Sequence, residues 1–520
     1  MKKKLFIILP LFAVTLSGCS FLRQLFFGEE PTPEQKEIIF PDPVIEEDIP
    51  GRQIVKGVSP LLSDSLATLG KYVLKPNESG EAKLLIVPVQ FVDSANKWDA
   101  FELEEIQKCF FGDPTIDTVL PWESVSSYYE KSSYGCLKIK GEVAPVFRSS
   151  LYTFSELQNA TTHRNPDLDI VREFEDNASY NTLKKQYDSD GDGRIDAVAF
   201  IYSDMFTVSN TDKRWWAHVT WNRENPDVDE PVVNTYMWAS YYFQKKTGNP
   251  YGAKYDYDTH TFIHESGHLL GLDDYYSYED SNAYDPSGGQ EMHSQNIGDE
   301  NIFSKLSLGW VEPYYIKTDS SVTTTLNSSA HYKNGNCIII NDNWNMSPLD
   351  EYIILEYYTP TDLNKLDSET KYAENAQMFT TSGFRIYHVD SRLVKLDKTE
   401  NYKGYVTDVS SFDSAYFYVV GPSNTPNSEH SYLNSDYEIE NYKQIHLLQA
   451  GGVNTFKPAK EGRRGSKASN ADLFKQGSSF VASSAFFANG DKFNNGSTVG
   501  YRIDIGTCTD TQGTVTITKI

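Results

Sequence analysis

Apolar and polar positions alternate in three different rhythms along this chain. Lys83 to Val92 (KLLIVPVQFV) is a nearly unbroken apolar run, which predicts a strand covered on both faces. Ser124 to Gly135 (SVSSYYEKSSYG) predicts a short helix closed by a glycine turn, and CLKIKGEV after it alternates as a strand. Asp196 to Tyr202 (DAVAFIY) predicts a second buried strand, and WWAHVTW and TYMWASYYF read as further β segments. A helix is expected from Thr259, with Phe262, Ile263, Leu269 and Leu270 facing a core. From about Val311 to Ile520 the rhythm changes to short β runs (YIILEYY, FRIYHVD, TVTITKI) between turn residues, the pattern of an all-β sandwich. Phe21 to Ser79 lacks periodic apolar positions and is rich in Pro and Glu, so it reads as a tether or short prosegment.

The expected fold class is therefore α+β. Residues 20–80 form the tether, 81–315 a domain of twisted sheet plus helices, and 316–520 a β-sandwich. A length of 520 residues exceeds what one core organises, which agrees with two folded domains. The 72 acidic residues against 47 basic ones give a net charge of −25, which argues against nucleic acid or anionic lipid as a partner.

The first residues indicate destination. Met1 to Lys4 is basic, Leu5 to Leu16 is apolar but short, and Ser17-Gly18-Cys19 offers a cleavage site, so 1–19 reads as a signal peptide. Leu16-Ser17-Gly18-Cys19 resembles a bacterial lipobox, which implies lipidation of Cys19 and an extracytoplasmic protein held to the membrane by lipid alone. The plain alternative is an ordinary secretory signal. Cys109, Cys136, Cys337 and Cys508 then permit two bridges, Cys109 to Cys136 and Cys337 to Cys508 if pairing stays within domains, against four free thiols.

The candidate chemistry lies in TFIHESGHLLGLDDYY, Thr261 to Tyr276. Four helical residues turn through about 400°, so His264 and His268 share a face and can hold one zinc ion. Gly271 can stop the helix and turn the chain so that Asp274 becomes a third ligand, leaving the fourth position open as in catalytic zinc sites. Glu265 is rotated by about 100° from His264 and points beside the ion, where it can act as general base.

His264-Glu265-Ser266-Gly267-His268-Leu269-Leu270-Gly271-Leu272-Asp273-Asp274 resembles the metzincin-type signature of the immune inhibitor A family of bacterial metallopeptidases. Gly288-Gly289, Met292 and Asn296 to Pro313 resemble that family's Met-turn region and following helix, and weaker likeness runs from Lys83 to the end. The resemblance implies a metzincin-like catalytic domain, with Met292 an apolar support beneath the zinc. Where relatives often carry Tyr after this Met, the chain has His293, so His293 and the Tyr275, Tyr276, Tyr278 cluster are the candidate oxyanion donors.

Asp188-x-Asp190-x-Asp192-Gly193-x-Ile195-Asp196 matches the first half of a calcium loop, with the Arg194 carbonyl and Asp196 filling in because Ala199 occupies the closing position. His388-Val389-Asp390 and His218 read as structural pairing. The expectation is a monomeric, lipid-anchored zinc endopeptidase that also binds calcium and acts on protein or peptide substrates. The alternative is a surface adhesin of the same fold without useful turnover.

Overall fold

The computed structural model describes residues 44–58, 73–117, 120–159, 166–205, 215–221, 226–245, 257–276, 285–372, 377–397, 402–406, 417–421, 424, 442–457, 465–487 and 490–520. Cys19, the 1–19 leader and Tyr278 lie outside them. The molecule is mixed α and β. Its first sheet runs, in spatial order, Lys138–Val143, Glu81–Gln90, Val198–Tyr202, Thr235–Ser240 and His218–Trp221, with Phe147–Arg148 also pairing with Glu81–Gln90. All neighbours are parallel except the last strand, which is antiparallel to Thr235–Ser240. Seven consecutive residues from Leu84 to Gln90, and all of Val198–Tyr202, are buried, as expected for central strands covered on both faces.

The predicted helices form with local caps. Val125–Ser132 begins in a capping box between Ser124 and Ser127. The helix His260–Leu269 packs on the sheet through Phe262, Ile263 and Leu269, all fully buried, and the Phe262 ring stacks on Phe110 at 4.8 Å.

The second sheet has seven strands in the order Val44–Ile49, Arg52–Lys56, Glu312–Ile316, Asn334–Ile340, Glu351–Tyr358, Gly383–Asp390 and Ile445–Leu448. Its side chains alternate between two cores. Cys337, Ile339, Tyr352 and Ile354 join Ile297, Ile302, Phe303 and Leu306, whereas Ile338, Ile340, Ile353 and Leu355 join Ile503, Ile505, Val515 and Ile517 of a four-stranded sheet. One face of this sheet is thus bound to the segment that follows the H-E-x-x-H helix.

One expectation changes and one open alternative is decided. Part of the 20–80 segment is folded: Val44–Ile49 and Arg52–Lys56 form a hairpin that pairs with Glu312–Ile316, a strand that straddles the 315/316 boundary. The Val73 and Leu74 amides, 2.9 and 3.0 Å from the Leu269 carbonyl, further tie this segment to the end of the H-E-x-x-H helix. The cysteines are free thiols. Cys109 is buried in the first core, while the Cys136 sulfur lies 3.5 Å from the Lys333 ammonium. Cys337 and Cys508 belong to cores on opposite faces of the seven-stranded sheet, which separates them.

Alkylation of protein denatured without reductant should label all four thiols in peptide mass spectra, and reductant should leave the melting temperature unchanged within about 1 °C. A fall of several degrees on reduction would instead reveal a bridge.

Candidate metal centre

The helix that carries the motif is closed at both ends by backbone chemistry. Thr259 occupies the N-cap position, yet its hydroxyl donates to the Glu123 carbonyl at 2.7 Å, and it is the Asp258 carboxylate that accepts the His260 amide at 3.0 Å. This corrects the capping role expected of Thr259. At the other end Gly271 adopts a left-handed φ of 85°, its amide donates to the His268 carbonyl (2.9 Å), and the Leu272 amide donates to Gly267 (3.1 Å). The turn carries Asp274 back to the histidines as anticipated.

His264 Nε2 lies 3.0 Å and His268 Nε2 3.4 Å from Asp274 Oδ1, and the two nitrogens are 3.2 Å apart. Ligands about 2.0–2.1 Å from a tetrahedral ion stand about 3.3 Å from one another, so this triangle fits zinc. The opposite ring nitrogens are engaged by carbonyls: His264 Nδ1 by Met292 O at 3.0 Å and His268 Nδ1 by Leu272 O at 2.7 Å. With Nδ1–H donated to a carbonyl, each Nε2 turns its lone pair toward Asp274.

Electrostatics agree with that picture. Burial by itself raises the Asp274 pKa, but the two imidazoles outweigh it and hold the carboxyl well below the usual range. Burial opposes charge on the histidines too, yet Asp274 raises both, His268 to about 9. Without a cation, a proton therefore shares the cluster, and a metal would displace it. Glu265 is 6% exposed, and burial lifts its pKa against the pull of the neighbouring imidazoles.

Two of the oxyanion candidates, Tyr275 and His293, are fully buried, while Tyr276 is half-buried. The Tyr275 hydroxyl is 3.0 Å from the Ser304 hydroxyl within the second core. His293 is fully buried and its Nε2 lies 3.3 Å from Glu300. Its ring abuts Gly267, where an added Cβ would meet Nε2 at 2.2 Å. Gly267 is thus a site residue that sequence reasoning passed over, although a glycine inside a helix costs about 1 kcal/mol relative to Ala and so signals a close approach. His293 also stands as a fourth possible donor, with one atom from each of His264, His268, Asp274 and His293 mutually within 4.8 Å. Met292 is fully buried, but its carbonyl is the group that touches His264.

In the other candidate loop, carboxylate oxygens of Asp188, Asp190 and Asp192 lie within 4.8 Å of one another. Asp196 stands outside that group, its carboxylate accepting the Ser189 amide at 3.2 Å. The Arg194 side chain approaches Asp192 at 3.8 Å, and its amide donates to the same carboxylate. Ala199, at the closing position, is buried in the central sheet and supplies no ligand. His388 pairs with Glu351 at 2.9 Å and Asp390 with Arg392 at 2.7 Å, both structural. His218 lies between Asp167 (3.3 Å) and the Trp216 carbonyl (3.1 Å), anchoring the outer strand.

A further residue escaped the sequence reading. His260, one turn before His264, stacks between Trp122 (4.3 Å) and Tyr372 (4.1 Å) and bridges Asp258 (2.8 Å) and Asp367 (3.3 Å). Burial opposes its charge, but Asp367 and Asp258 prevail and push its pKa up to about 10. The chain matches no family model and no curated protein.

Replacing His260 by Ala should cost about 3–5 kcal/mol of stability, since it removes the buried cation that stands between Asp258 and Asp367. Because the folded pKa, about 10, exceeds the unfolded value of 6.5, the ion-pair contribution is complete below pH 6.5 and is lost as pH rises through about 10. Denaturant midpoints from pH 6 to 10.5 should therefore fall more steeply in the parent than in the His260→Ala variant; parallel curves would refute the pairing.

Proposed function

We propose that this chain is a zinc-dependent endopeptidase of the immune inhibitor A type, with a metzincin-like catalytic unit, a C-terminal β-sandwich and an N-terminal lipid anchor at Cys19. The convergence of His264, His268 and Asp274 on one point, beside a buried Glu265, is the observation that carries the reading. When bound, zinc supplies Lewis acidity and an acidified water. Glu265 would take a proton from the water that attacks the peptide carbonyl and deliver it to the amine nitrogen as the C–N bond breaks. Its raised pKa suits a group that must first accept and then donate.

The substrate class follows from the neighbouring sheet. His218–Trp221 ends the strand order of that sheet among the described residues. An extended peptide can add to such an edge through main-chain hydrogen bonds, which suits a protein substrate better than a small amide. The Asp188, Asp190, Asp192 loop is the proposed calcium site, a structural one that precedes the central strand Val198–Tyr202. Asp188 Oδ1 has no hydrogen-bond partner there.

One observation favours a second reading. Were His293 to complete a four-donor set, the ion would be closed and structural, as in a surface adhesin without turnover.

Purified protein should contain a single zinc, and casein hydrolysis should vanish with chelator and return with zinc. Glu265→Ala should lower kcat/KM at least about 10²–10⁴-fold while zinc content stays unchanged. Zinc retained with no hydrolysis by the parent would select the second reading, and absence of zinc would exclude both.

A further inference from the structure

The Met292 carbonyl, which meets His264 and also accepts the Asn296 amide (3.0 Å), opens the short helix Met292–Gln295, and the segment leading into that helix is tied to the C-terminal part of the chain. Pro286 O accepts from the Leu447 amide (2.8 Å), Gly288 O from the Ala468 amide (2.9 Å), and Gln290 O from Arg385 Nη1 (2.8 Å). The Gln290 side chain is fixed as well. Its Oε1 accepts the Phe379 amide at 2.9 Å and its Nε2 donates to the Gln377 carbonyl at 2.8 Å. Two residues further on, Met292 O receives His264 Nδ1.

Two cations reach this segment: Lys467, which is exposed, on the Asp285 carboxylate (2.7 Å), and Arg385, which is buried. It is 1% exposed on the strand Gly383–Asp390, with Nε 2.8 Å from Glu356 and its guanidinium over the rings of Tyr358 (4.9 Å) and Tyr387 (5.9 Å). Burying a guanidinium this deeply is costly, and a purely apolar residue pair would pack the same space at no greater free energy. Arg385 sets a rigid planar donor on the Gln290 carbonyl, two residues before the carbonyl that meets His264 Nδ1.

We propose that Arg385 is a positioning residue for the metal centre, holding the Gln290–Met292 backbone so that the Met292 carbonyl fixes the orientation of His264. The inference rests on the proposed zinc reading and extends it by giving the C-terminal unit a part in metal binding. It concerns affinity and ligand geometry, so it is read without reference to turnover.

The test uses full-length protein carrying Arg385→Met together with Glu356→Gln, which removes both buried charges and leaves neither unpaired. Zinc affinity, measured by chelator competition, should fall about 10–100-fold, the range found when outer partners of metal ligands are lost. The visible bands of the cobalt-loaded protein should shift, because His264 changes angle; Arg385→Lys, which keeps a donor, should recover part of the affinity. Unchanged affinity and an unchanged cobalt spectrum in a folded double variant would overturn the proposal. Should the double variant fail to fold, Arg385→Lys alone, which keeps the charge beside Glu356 but loses the planar donor on the Gln290 carbonyl, decides by the same two readouts: a smaller fall in affinity with a band shift supports the proposal, and parent values overturn it. Failure of the parent itself to bind zinc or cobalt would be a failure of the zinc reading and is distinguished by that control.

Discussion

Two backbone carbonyls determine what His264 and His268 can be. Because Met292 O and Leu272 O take the Nδ1 protons, both Nε2 lone pairs turn inward toward a carboxylate oxygen, and three acceptors meet within 3.4 Å in a buried place. Acceptors brought together without a donor repel one another, and in a medium that excludes water this repulsion is large. Only a proton or a cation resolves it. The raised histidines and the depressed Asp274 are the proton's answer, and the triangle of distances is matched to the cation's.

Those two carbonyls come from different sources, which explains why the site needs more than its helix. Leu272 is supplied locally, by the left-handed turn at Gly271. Met292 is supplied from the loop bound to the seven-stranded sheet, whose opposite faces serve two cores. The amino-terminal segment contributes as well. Helix carbonyls at the last turn lack partners within the helix, and the Val73 and Leu74 amides satisfy the one at Leu269. Removal of these residues would expose that carbonyl.

Local patterns were readable and distant ones were not. The apolar runs at Lys83 to Val92 and Asp196 to Tyr202 became central strands, and the i, i+4 histidines with Gly271 and Asp274 came together, since each rests on periodicity or on a turn a few residues long. The hairpin Val44–Lys56 left no apolar signature because its first strand is almost wholly exposed and is held by backbone pairing, not burial. Asp258 displaced Thr259 as the cap because a hydroxyl can be drawn off by another carbonyl, here that of Glu123, which lies 136 residues away in sequence. Gly267 carried a signal that composition alone does not weigh, while Arg385 carried none: it meets Gln290 across 95 residues, and no period links them.

The remaining tension is between three donors and four. His293 lies near enough to count as a ligand, yet its surroundings are those of a wall. Gly267 leaves only the space that the imidazole edge fills, and Glu300 stands 3.3 Å from the same nitrogen. Burial lowers the His293 pKa against the pull of Glu300. For His293 to bind an ion at about 2.0–2.1 Å it would have to leave both contacts, uncovering a buried carboxylate and opening a void beneath the helix. An open position beside Glu265 belongs to the three-donor arrangement, in which His293 stays packed between Gly267 and Glu300.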